Sequence, residues 1–291
     1  LEEHLEENQW REVIPLTAAL LKRQAKPAME YLLEESKGKV AMELPQKERN
    51  KKSIAAAHLA NCIAAEIPLI PKMLEEALTA IVIQSYAIQD INIQNTEENI
   101  DVFETIYHSE KYGETLKLVV EQLLKNRDLY SFSGMENVWI RIYYAENKKP
   151  NLRTILQLLR REEREKRISG AILMMHWVFE NRKKLKQKKR ELKKEWEILN
   201  EIFASIFDLL CSSDRGEYFF ASWCIAWSGY NEADIIPDKY ILKIAERIIC
   251  LWCSVSEFYE VRRQLSWAVC TISQPGLKVE PSTKIEQAIE I

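Results

Sequence analysis

The chain has 291 residues with a net charge of −3, is 47% hydrophobic and 29% charged, and contains only seven glycines. This length suits one large domain or two smaller ones, and the near-balanced charge excludes a general attraction to nucleic acid, leaving only a local patch to supply one. No apolar run reaches the ~18 residues that a membrane span needs, no signal peptide is present, and six cysteines fit a reducing, cytoplasmic setting.

Glycine-poor sequence rich in Leu, Ile, Ala, Glu and Lys favours helices. Asn8 is an N-cap for a first helix over Gln9–Lys22, with Trp10, Val13, Leu16, Thr17, Leu20 and Leu21 as its apolar face. Pro15 falls inside this pattern, as a kink or as the first turn of a later start. Pro27 opens a second helix with Met29, Leu32 and Leu33 inside and Gly38 beyond its end. The two form a helical hairpin.

The stretch Leu5-Glu-Glu-Asn-Gln-Trp-Arg-Glu-Val-Ile-Pro-Leu-Thr-Ala-Ala-Leu-Leu21, with a second helix ending Tyr31-Leu-Leu-Glu-Glu35, resembles a segment of NACHT-family NTPases of the STAND class. In that family a Trp-Arg-Glu-Val element follows the winged-helix part of the ATPase module and begins the C-terminal helical region. The resemblance covers about a tenth of the chain. It implies that Trp10, Arg11 and Glu12 belong to an interface with an N-terminal NTPase module, which would carry the ATP and Mg. Read from the residues alone, the same helix is amphipathic, with Trp10 anchoring a core and Arg11 and Glu12 exposed. The chain begins at Leu1 without an initiator methionine, which predicts a piece of a longer protein.

From Lys39 to Asn50 the chain is polar, contains Pro45 and reads as a loop. Ser53 to Glu66 is alanine-rich and helical, with His58 among Ala55, Leu59 and Cys62 as a packed or surface side chain rather than a metal ligand. Pro68 and Pro71 precede a helix through Met73, Leu74, Leu78, Ile81 and Val82. Gln84 to Asn99 shows no period and reads as a long loop. Helices follow at Thr96–His108, Glu114–Asn126 and Gly134–Glu146, and Pro150 in Asn147-Lys-Lys-Pro-Asn151 marks a boundary between subdomains 1–150 and 151–291.

The stretch Asn151–Ser212 is the spine. It has no proline and one glycine, Gly170. Ile168, Ile172, Met175 and Phe179 share one helical face, and Leu185, Leu192, Trp196, Leu199, Phe203, Ile206 and Leu210 continue a similar stripe. Between them Arg182–Lys194 holds nine bases and one acid. Such a run marks a solvated face, a contact with an acidic protein surface, or a nucleic-acid patch built from Lys183, Lys184, Lys186, Lys188, Lys189 and Arg190. It lacks the interleaved aromatics that stacking on bases would use.

Ser213-Asp-Arg-Gly216 is a turn into Tyr218–Trp227, apolar on nearly every face and so central, with Gly229 as its end. Pro237 opens a helix that buries Ile241, Ile244, Ile248 and Leu251, and Glu257–Ser273 forms the next, with Val261, Leu265, Ala268 and Ile272 inside. Joined by Ser254-Val-Ser256, the pair reads as a HEAT-type hairpin, and the tail from Gln274, with Pro275, Gly276 and Pro281, reads as an extended end, with or without a short last helix. The expected fold is all-α, an irregular HEAT-like array of antiparallel helical hairpins, about a dozen helices long.

Catalysis finds no support. The chain carries no Gly-x-x-x-x-Gly-Lys-Ser/Thr loop, no His-Glu-x-x-His, no Gly-x-Ser-x-Gly and no glycine-rich dinucleotide loop. His4, His58, His108 and His176 offer no base–nucleophile pair, and the paired glutamates read as exposed faces. Cys250-Leu-Trp-Cys253 has metal-ligand spacing, but it sits late in an apolar helix and reads as packed thiols. With no enzyme, cofactor or metal expected in the segment, three functions stay open. The resemblance implies the sensor and autoinhibitory region of a prokaryotic NACHT NTPase, of a kind associated with antiphage defence, triggered by a protein or nucleic acid. The others are a stand-alone HEAT-like protein-interaction scaffold and a helical nucleic-acid binder.

Overall fold

The computed structural model describes residues 10–38, 44–85, 102–126, 135–147, 149–187, 193–230, 235–254 and 259–273. All regular structure among them is helical. The chain divides into two compact units, Leu1–Glu146 and Asn147–Ile291.

The first unit contains α1 (Trp10–Leu21), a 3-10 turn at Lys22–Ala25, α2 (Lys26–Ser36), α3 (Gln46–Ala64), α4 (Pro71–Ile83), α5 (Val102–His108), α6 (Gly113–Lys125) and α7 (Met135–Glu146). Helix α1 packs on α3 and α3 on α5, while α2 packs on α4 and α4 on α6. The two rows meet through α2 with α3, α3 with α4, and α5 with α6. Proline near the start of α2 and α4 costs no hydrogen bond, because the first-turn N–H has no partner within the helix. Helix α3 ends in a left-handed cap: Glu66 has φ 59, its N–H donates to the Ile63 carbonyl at 2.9 Å, and the Ile67 N–H reaches the Cys62 carbonyl at 3.4 Å. The segment after α5 is tied to this cap. The buried Tyr112 hydroxyl donates to the Ile67 carbonyl at 2.6 Å and Ser109 Oγ to Glu66 Oε1 at 2.8 Å.

Three expectations change here. The polar stretch Lys39–Asn50 is helical from Gln46 onward, and its residues 39–43 lie outside the described chain. The lysines that follow it serve the end of α2: Lys51 pairs with Glu35 at 3.1 Å, and Lys52 donates to the carbonyls of Glu35 (3.3 Å) and Lys37, which have no partner within α2. At the start of the expected loop Gln84–Asn99, Gln84 and Ser85 are buried, and Gln84 Nε2 donates to the Ser36 carbonyl at 3.4 Å; the rest of that segment lies outside the described residues. On α1 the buried side chains are Ile14 and Ala18, while Val13, Leu16, Leu20 and Leu21 face out. The neighbouring helix of the same row supplies a reason. Helix α3 carries Ala55, Ala56, Ala57 and Ala60, all buried, and close approach of two helices favours a small residue such as Ala18 over three leucines. Asn8, the expected N-cap, lies outside the described residues.

The second unit contains α8 (Leu152–Leu159), α9 (Arg164–Gln187), α10 (Lys193–Leu210), α11 (Arg215–Tyr230), α12 (Asp238–Ser254) and α13 (Tyr259–Ser273). Here the pattern is regular. Helices α8, α10 and α12 stack in one row and α9, α11 and α13 in another, and the rows join through the pairs α8–α9, α10–α11 and α12–α13. Asn151 caps α8, its Oδ1 accepting the Thr154 N–H at 3.0 Å. The spine is therefore interrupted by the turn at Arg160–Glu163, and its residues 188–192 lie outside the described chain. The turn needs neither proline nor glycine, because Arg160, Arg161, Glu162 and Glu163 are exposed and offer nothing to bury.

Helix α11 is buried on nearly every side, with Phe219, Ala221, Cys224, Ile225 and Ala226 fully shielded. Gly229 does not end it, since the helix runs to Tyr230. A Cβ at Gly229 would lie 2.8 Å from the Thr271 carbonyl oxygen, so the glycine marks the closest approach of α11 to α13. Gly170 plays the same part between α9 and α8, where a Cβ would stand 2.8 Å from Leu159 Cγ. Of the expected α9 stripe, Ile168, Ile172 and Met175 are buried, but Phe179 is 42% exposed and meets Trp227 edge-on, with ring centroids 5.7 Å apart. Leu199, Phe203, Ile206 and Leu210 are fully buried on α10; Trp196 is partly so. Ile244, Ile248 and Leu251 are buried on α12, with Ile241 only partly covered, and Leu265 and Ala268 are buried on α13.

Candidate interaction surfaces

The outward face of α1 gathers four of the exposed large apolar side chains among the described residues of the first unit. Val13, Leu16 and Leu20 follow the i, i+3, i+7 spacing of one helical stripe. Their exposures are 41%, 63% and 84%, and Leu21 beside them is 44% exposed. Scattered exposed leucines are ordinary, whereas a contiguous stripe marks a place where another surface sits. Of the residues singled out by the resemblance, Trp10 is partly rather than fully buried, Glu12 is exposed, and the Arg11 side chain lies outside the described residues. Lys22 and Arg23 are exposed at the other end of the helix. Trp10 and Glu12 thus stand at one end of the apolar stripe.

The second unit holds a charged ladder that motif searching does not find. Arg164 Nε donates to Asp214 Oδ2 at 2.7 Å, and one turn further along α9 Arg167 Nε donates to Glu217 Oε1 at 2.8 Å. Asp214 also caps α11, its Oδ1 accepting the Glu217 N–H at 3.1 Å. The Arg164 side chain is 8% exposed and that of Glu217 5%, so these pairs are largely desolvated. Their signal in the sequence is a repeated spacing of three, Arg164/Arg167 against Asp214/Glu217. Each carboxylate is engaged by a guanidinium, so the ladder's chemistry is positional. It fixes the register of α9 on α11.

Lys183, Lys184 and Lys186 of the basic run fall on the last turns of α9, with side chains outside the described residues, and Lys188, Lys189 and Arg190 lie outside them altogether. The described neighbour at this end is Glu180, which pairs with Lys149 at 2.7 Å. His58 is buried in α3, His108 is exposed at the end of α5, and His176 is partly buried on α9. Among the described residues no group of three or more His, Cys, Asp or Glu side chains is placed to hold a metal ion.

The cysteines fall into two classes. Cys62 and Cys224 are buried, and burial pushes both thiols up to about 12. Cys250 and Cys253, expected to be packed, are both exposed. The reason is their phase on α12. Ile244, Ile248 and Leu251 take the buried face, which sends positions 250 and 253 to the far side with Leu242 and Ile249, 69% and 53% exposed. Cys211 and Cys270 are also exposed, on other elements. No described helix is long and apolar enough to cross a membrane. Comparison of the chain with protein-family models, with curated proteins and with solved structures finds no match.

Proposed function

We propose that this chain is the non-catalytic sensor and autoinhibitory helical region of a cytoplasmic NACHT NTPase of the STAND class, acting in prokaryotic signalling or antiphage defence. In this reading α1 docks on the NTPase module, which carries ATP and Mg. The observation that carries it is the exposed stripe Val13, Leu16, Leu20 and Leu21, set directly beside the Trp10–Val13 element on which the resemblance rests. A helix laid by an i, i+3, i+7 face into a groove is a common mode of recognition. The stacked helix rows of each unit support the accompanying reading of an irregular HEAT-like array, in which each hairpin touches the next. Displacement of the first unit's later helices by a protein or nucleic-acid trigger then reaches α1 through packed neighbours of that unit. The trigger shifts the equilibrium only if it binds one arrangement better than the other.

The test has two parts. The coding sequence of the full-length protein should contain a Gly-x-x-x-x-Gly-Lys-Ser/Thr loop N-terminal to this chain. In that protein the double substitution Leu16→Asp/Leu20→Asp should release autoinhibition and raise basal ATPase activity while the helical region stays folded. A full-length protein without such a loop, or one whose ATPase is indifferent to the double substitution, overturns the proposal.

A further inference from the structure

We propose that Cys250 and Cys253 form a two-thiolate site for Cu(I) on the outer face of α12. The helix places the two positions three residues apart and both thiols are exposed, so they share one face within a single turn. Residues so spaced have Cβ atoms about 5–6 Å apart. A disulfide requires about 3.5–4.5 Å, so an undistorted helix does not bring the pair to disulfide geometry. One bridging ion closes the gap, since a thiolate on each side of the metal leaves the sulfurs well beyond disulfide range. Soft thiolates select Cu(I), whereas structural zinc takes four ligands and this face presents two thiols. The neighbouring Ile249 and Leu242 lend the face an apolar border.

Binding is balanced as the loss of two S–H bonds and the gain of two Cu–S bonds, both protons passing to solvent, with no change in copper oxidation state. The other thiols do not compete as a pair. Cys62 and Cys224 are buried, Cys211 follows the end of α10, and Cys270 stands on α13.

The experiment titrates the whole chain with Cu(I) under anaerobic, reducing conditions against a chromogenic Cu(I) chelator. The expected result is one Cu(I) withdrawn per chain. Cys250→Ser and Cys253→Ser should each weaken binding by more than the ~10–100-fold that loss of a ligand's hydrogen-bond partner costs, while Cys211→Ser and Cys270→Ser leave it unchanged. Serine at an exposed position preserves the helix, which circular dichroism checks. Zn(II) in the same competition should bind far more weakly. No transfer from the chelator, equal binding by the Cys250→Ser/Cys253→Ser double variant, or Zn(II) binding as tightly as Cu(I) overturns the assignment.

Discussion

Helix α1 offers the sharpest test, because its two apolar faces make opposite demands. Ile14 is 5% exposed and Leu20 is 84% exposed. Truncating a buried isoleucine to alanine costs ~2–5 kcal/mol, including the cavity left behind. Fully burying a leucine is worth ~1.5–3 kcal/mol. Leu20 has only about a sixth of its surface covered and Leu16 about a third. Scaling accordingly, Leu20→Ala should cost about 0.5 kcal/mol or less and Leu16→Ala about 1 kcal/mol or less, before the better helix propensity of alanine offsets part of each. The local readout is hydrogen exchange of peptides covering Trp10–Leu21, since an array of stacked helices need not unfold as one unit. Ile14→Ala should accelerate exchange across α1 by well over tenfold, because each 1.4 kcal/mol is a factor of ten. Leu16→Ala and Leu20→Ala should leave exchange within a few-fold of the parent. If Leu20→Ala deprotects α1 as much as Ile14→Ala does, the stripe is packed and the docking surface does not exist.

Glu217→Gln should cost about 2–4 kcal/mol, seen as a lower melting temperature, because it leaves Arg167 without its carboxylate in a largely desolvated site; a loss below about 0.5 kcal/mol would reduce the ladder to a surface pair. Gly229→Ala should destabilise by about 1–2 kcal/mol despite a helix-propensity gain of ~1 kcal/mol, since the new Cβ meets backbone of Thr271; a stabilised variant in urea melts would refute the close contact. Tyr112→Phe should cost about 1–3 kcal/mol by stranding the Ile67 carbonyl in the interior, and an unchanged urea midpoint would sink that assignment. The buried thiols set a pH dependence. Unfolded thiols ionise from about 9.0, while the folded Cys62 and Cys224 keep their protons to about 12. The folded state therefore holds more protons above about pH 9, and stability falls as pH rises through that window. In parallel, at pH 8 a thiol reagent should modify Cys250 and Cys253 readily and leave Cys62 and Cys224 untouched until unfolding.

The helical class was legible from composition and period alone, because a 3.6-residue repeat of apolar side chains is a local property of the chain. Met29, Leu32 and Leu33, or Leu199, Phe203, Ile206 and Leu210, announce a buried face whatever packs against it. The proline before α4 and the apolar run of α11 are of the same kind. Other features were set by neighbours distant in the chain. Helix α1 has two apolar faces, and its contact with α3 determines that Ile14 and Ala18 go inward and the leucine stripe outward. The polar residues Gln46–Asn50 look like loop, yet they open α3, whose Lys52 meets the open carbonyls at the end of α2. Gly229 reads as a stop signal, yet acts as a point of contact because α13 arrives there. The Arg164–Asp214 and Arg167–Glu217 pairs join residues fifty positions apart, and spacing within each segment does not say which segments meet. Helix formation rests on hydrogen bonds four residues apart and so is written locally. Which faces stay exposed, and therefore what the chain offers to a partner or an ion, follows from long-range packing.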